Sequence, residues 1–165
     1  MSPAPDHNKL QQISDDSHLT KRLVAVLLVS VLIIAACGLL YELLISTISA
    51  YYLGNSVLHF SVTIGLFIAA MGVGSYLSRF VRQELLSAFV YIEIALGIIG
   101  GFSGLMLYAT FSLTENYYLF AFSLIMVLGA GIGLEIPLLT RIVRPFNSLR
   151  EAVSQVLSFD YFGAL

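Results

Sequence analysis

The chain has 165 residues, of which 58% are hydrophobic and 11% charged, with a formal net charge of −2 and a mean hydropathy of +0.91. Soluble domains average roughly 45–50% apolar and 25% charged residues, so a water-facing fold of this size has no interior for the surplus. The single cysteine excludes an internal disulfide framework and any multi-cysteine metal site, and no basic cluster points to nucleic acid.

Residues 1–20 are polar, carry Pro3 and Pro5 and show no apolar period; they read as a flexible cytoplasmic tail. Lys21 and Arg22 open a membrane domain over 21–165. Apolar runs predict helices over 23–45, 57–77, 85–110 and 117–139, each near the roughly 20 residues that cross a hydrocarbon core. A fifth starts at about 149, where Ser148 and Glu151 have the spacing of a capping box. That run is still apolar at Leu165, and the expectation is a fragment of a longer protein. The fold class is an all-α membrane protein, a multi-pass transmembrane helix bundle, whose partners are the lipid bilayer and neighbouring membrane helices. Phosphate loops, HExxH and CxxC are absent from the sequence, so neither cofactor nor metal is expected. Ile34–Cys37 imitates a lipoprotein cleavage box, but Gly38–Tyr41 continue the apolar run, and Cys37 reads as a small buried hydrophobe.

The basic residues are Lys9, Lys21, Arg22, Arg79, Arg82, Arg141, Arg144 and Arg150. With four helices crossing, all fall on one side of the membrane. Cytoplasmic loops carry the excess of Lys and Arg, so the N-terminus is expected inside a bacterial inner membrane. Tyr51, Tyr52, Tyr117 and Tyr118 then lie at the outer interface, where amphipathic rings are favoured.

The informative residues are acids within the apolar runs: Glu42, Glu93, Glu135 and, in the fifth, Asp160. An acid near a bilayer centre costs about 2.5–3.5 kcal/mol on insertion scales, so it faces protein or water. Each Glu has a glycine four residues away, at Gly38, Gly97 and Gly131, and Asp160 has Gly163 three residues on. The expectation is a polar cavity that Asp160 shares with Glu42 or Glu135; the competing reading is a set of neutral, hydrogen-bonded structural carboxyls. His59 is level with Glu42 and could bond to it, while Arg79 and Arg82 lie nearer the level of Glu135. In helix 3, Gly97, Gly100, Gly101 and Gly104 form two overlapping GxxxG spacings, which let helices approach closely. Gly65, Ala69 and Gly72, and Gly129 and Gly133, repeat the pattern in helices 2 and 4. Residues 38–47 and 131–140 share Gly, Glu and Thr at equal spacing. Helices 1 and 4 run in opposite directions, the arrangement found in an inverted 3+3 repeat.

Cys37–Leu44, Tyr52–Ser56, Gly65–Arg79, Glu135–Leu139 and Phe159–Leu165 resemble, in order, segments of the membrane domain of bacterial membrane-bound spermidine synthase-like proteins, the polyamine aminopropyltransferases. The resemblance covers about residues 20–165. It implies a membrane-anchoring domain that precedes a soluble transferase, which moves an aminopropyl group from decarboxylated S-adenosylmethionine to putrescine. The Gly-rich nucleotide loop and the acids that would hold the diamine have no counterpart in this sequence. No catalytic residue carries over, this chain alone is expected to be inactive, and a C-terminal aminopropyltransferase domain is the implied partner. The intramembrane acids would then bind a polyamine or a proton. The alternative, favoured by the acids and the inverted similarity, is a fragment of a proton-coupled or polyamine/small-solute transporter.

Topology is directly testable. Reporter fusions at Asn55 and Glu115 are expected to read as external, and fusions at Arg82 and Arg144 as internal. An external reading at Arg82 overturns this arrangement.

Overall fold

A computed structural model of the chain describes residues 7–82, 84–113, 116–144 and 149–165. Helix α1 spans His7–Leu53, α2 Ser56–Leu77, α3 Leu85–Leu113, α4 Tyr117–Val143 and α5 Leu149–Gly163, with a short 3-10 turn at Ser78–Phe80. Among the described residues there is no strand. Four stretches are long and apolar enough to cross a membrane: Arg22–Leu53, Ser56–Phe80, Leu85–Leu113 and Tyr117–Val143.

The helices outrun the expected boundaries, and α1 does so most. Residues 7–20, expected as a flexible tail, are helical. The reason is local: after Pro5 the sequence holds no proline or glycine until Gly38, so no residue breaks the helix on its way into the apolar run. Residues 1–6 of that tail, and Ser148 of the expected capping box, lie outside the described residues. At the other end of α1, Gly54 (φ 75°) and Asn55 (φ 49°) both take the left-handed conformation, which stops the helix and reverses the chain within two residues. Asn55 then caps α2, its Oδ1 accepting from the Leu58 N–H at 3.3 Å.

Helices α1 and α4 form the centre. Each touches all the other helices, whereas α2 and α3, neighbours in sequence, do not pack on each other. Cross-helix contacts fix the directions. Gly38 lies on Ile132 and Ser49 Oγ on the Tyr117 hydroxyl at 3.0 Å, so α1 and α4 are antiparallel. Gly100 and Gly104 lie on Tyr41 and Leu44, so α1 and α3 are parallel. Gly129 and Gly133 lie on Phe67 and Met71, so α2 and α4 are parallel. These directions gather Arg22, Arg79, Arg82, Arg141, Arg144 and Arg150 at one end. There Arg141 Nη1 donates to the carbonyls of Ser78 (3.1 Å) and Val81 (2.7 Å), which closes the last turn beyond α2. Arg79 lies 3.6 Å from the Tyr76 ring centroid. At the opposite end Tyr52 stacks on Phe111 at 4.1 Å and meets Tyr117 edge-on.

The small-residue stripes behave differently from expectation in helices 2 and 3. Gly97 and Gly101 face open space, as do Gly65 and Gly72. The inward stripe of α3 is Phe89, Leu96, Gly100, Ser103 and Leu107, with Gly104 beside it. Gly97 and Gly101 sit one residue further round, about 100° away on a 3.6-residue helix. In α2 the inward face is Thr63, Phe67, Ala70 and Gly74. In α4 the expectation holds: a Cβ on Gly129 would lie 2.7 Å from Ala70 Cβ and 2.9 Å from the Phe67 carbonyl oxygen, and one on Gly133 would meet the Met71 backbone.

The interface therefore tolerates no added carbon at those points. Gly129→Leu is expected to lower stability by about 1–3 kcal/mol or more through overpacking, read as a lower thermal midpoint in detergent. Gly101→Leu, which adds a side chain on the outward face, is expected to move that midpoint little.

Candidate functional site

Contacts among four helices bring the middles of α1, α3 and α4 and the C-terminal end of α5 to one level. Gly38 of α1 meets Ile132 of α4, Leu96 of α3 meets Gly131 of α4, and Gly163 of α5 meets Leu32 and Ala35 of α1. Three of the four expected acids fall on this level. Glu93 is eight residues into α3 and Glu135 eight before the end of α4, each about 12 Å from the arginine-bearing end at 1.5 Å per residue. Asp160 is nine residues beyond Glu151, or about 13 Å along α5.

Glu135 is the centre of the group. It is 1% exposed, and neither of its carboxyl oxygens has a hydrogen-bond partner among the described residues. Glu93 and Asp160 stand at the same level on α3 and α5, which both pack on α4. Glu93 Oε1 is likewise buried without a partner. Among the described residues the other buried polar side chains are Ser46, Ser49, Thr63, Ser78 and Ser103, none of which carries a positive charge.

The fourth acid does not join them. Glu42 lies twenty residues beyond Arg22, about 30 Å along α1, toward the tyrosine-bearing end, so Asp160 groups with Glu135 and Glu93 and not with Glu42. His59, level with Glu42 in the sequence, does not bond to it. The His59 ring lies instead against Tyr118, with centroids 6.2 Å apart, and lines a cleft of about 100 Å³ with Ser49, Thr63 and Tyr117. Arg79 and Arg82 do not approach the acids either, because α2 packs on α4 by its Gly129–Gly133 face and Arg79 is drawn to the Tyr76 ring.

Sequence reasoning did not single out Tyr41, whose ring packs on α3 and fills the space above Gly100. Cys37, expected as a small buried hydrophobe, is half-buried, because it stands one residue off the buried Gly38. The three carboxyls together can take up and release protons and can accept an ammonium ion.

An unpartnered buried polar group costs about 1–3 kcal/mol, and more when charged. Glu135→Met keeps the side-chain length and removes the polar head. It is expected to raise the thermal midpoint of the ligand-free protein, whereas Glu135→Lys is expected to lower it. A large loss of stability in the Met variant would show that the carboxyl holds the bundle together.

The chain is similar to the polyamine aminopropyltransferase of Leptospira interrogans, 47% identical over 139 residues that make up 84% of this chain and 28% of that protein. It is 42% identical to polyamine aminopropyltransferase 2 of Ralstonia nicotianae over 86% of this chain and 28% of the relative. Polyamine aminopropyltransferase 1 of Streptomyces coelicolor is 39% identical over 90% of this chain and 28% of its own length. The chain thus spans less than a third of the length of the curated relatives it matches, and it is homologous to the N-terminal region of spermidine synthase-like proteins. No protein-family profile matches the chain, and no solved structure matches it.

Proposed function

We propose that this chain, homologous to the N-terminal region of bacterial polyamine aminopropyltransferases, is the part of such an enzyme that crosses the inner membrane and anchors the transferase to it. The observation that carries this reading is the coincidence of the matched segment with four helices long and apolar enough to span. The arginines gathered at one end support a cytoplasmic N-terminus by the positive-inside rule. On this reading the transferase chemistry resides in the part of the relatives' length that this chain does not match. A second reading has one structural support. Helices α1 and α4 are antiparallel neighbours, and each carries an acid in a similar sequence setting, as the two halves of an inverted repeat would. A solute passage between them would be the consequence.

Cell fractionation tests the anchoring role. The chain, produced in bacteria, is expected in the membrane pellet after an alkaline carbonate wash, and recovery in the supernatant overturns the reading. The same purified chain is expected to make no spermidine from putrescine and decarboxylated S-adenosylmethionine, and measurable turnover would place the chemistry here instead.

A further inference from the structure

We propose that Glu93, Glu135 and Asp160 form a binding site for a linear polyammonium cation. That a cation belongs there is argued from geometry alone; the choice of a polyamine rests on the reading of the chain as part of a polyamine-handling enzyme.

The chain satisfies its buried hydroxyls and leaves its buried carboxyl open. Ser46, Ser78 and Ser103 each donate to a backbone carbonyl three or four residues back, at 2.8, 2.7 and 2.6 Å. Glu135, 1% exposed, has both oxygens without a partner. A structural carboxyl would be tied in as the hydroxyls are, because an ion taken out of water needs its lone pairs bonded. Two further carboxyls, Glu93 of α3 and Asp160 of α5, stand at the same level on helices that both pack on α4. Arg141 is committed to two carbonyls and Arg79 to the Tyr76 ring, so neither neutralises them.

The kind of cation follows from the spacing and the walls. Among the described residues no three His, Cys, Asp or Glu side chains converge closely enough to hold one metal ion. A hard divalent cation also needs six or more oxygens, and the surroundings are apolar: Leu96 and Ile132 are buried at the same level. A chain of ammonium groups joined by methylenes meets both conditions. Each ammonium offers three donors to a separate carboxyl, and the methylenes lie on the apolar wall.

Equilibrium binding of labelled spermidine to the protein in lipid nanodiscs tests the proposal. Saturable binding is expected in the parent, with at least a tenfold loss in Glu135→Gln and in the double variant Glu93→Gln, Asp160→Asn. Glu42→Gln, on the other level, is expected to bind as the parent does. The double variant decides the matter if Glu135→Gln fails to fold. No saturable binding in the parent, parental binding in folded Glu135→Gln, or displacement by magnesium at equal concentration would each overturn the site. A protein that stays in the membrane pellet yet binds no spermidine loses this inference alone; one that leaves the pellet loses the anchoring role first.

Discussion

The contact on which the rest of the structure depends is the backbone approach of α2 and α4 at Gly129 and Gly133. It sets α4 at a fixed depth and rotation against Phe67, Ala70 and Met71. With that face of α4 occupied, Leu128, Ile132, Glu135 and Leu139 are turned away from α2, and Ile132 meets α1 at Gly38. Close van der Waals packing of small residues holds the two helices together at this contact. The rotation that such packing enforces is what buries Glu135.

The two ends of the bundle are built from different chemistry. At one, the arginines turn outward or toward carbonyls and rings, as the bonds of Arg141 to Ser78 and Val81 show. At the other, Tyr52, Phe111, Tyr117 and Tyr118 contact one another across three helices. Aromatic pairs contribute about 0.5–1.5 kcal/mol beyond their buried area, and the Ser49–Tyr117 hydroxyl contact adds direction. Between the ends, helical serines and threonines return their hydroxyls to the carbonyl of the preceding turn, so they occupy apolar surroundings at little cost. The carboxyls of Glu93 and Glu135 have no such local outlet. Their side chains project to neighbouring helices, and an open carboxyl at the meeting point of α1, α3, α4 and α5 is a feature that packing alone does not call for.

By itself the sequence determined the number and order of the apolar helices, their alternating direction, the arginine-rich end and the acids inside the runs. Those properties follow from composition and length, because backbone groups in an apolar medium must be bonded within a helix and the charges sort to its ends. The turn at Gly54–Asn55 was not anticipated, although its residue types are those that adopt positive φ. Only the tertiary structure decided which face of each helix turns inward. In α3, Gly97/Gly101 and Gly100/Gly104 are equivalent as sequence, yet the first pair looks outward and the second lies on α1. In α2, Gly65 and Gly72 give way to Ala70 and Gly74 for the same reason. A helix that is apolar all round has almost no amphipathic signal to orient it; rotation is set by its partners. The grouping of Asp160 with Glu135 and Glu93, and the separation of Glu42 from them, depend on that rotation and on the axial offset between helices, and neither is written in the spacing of residues along one chain.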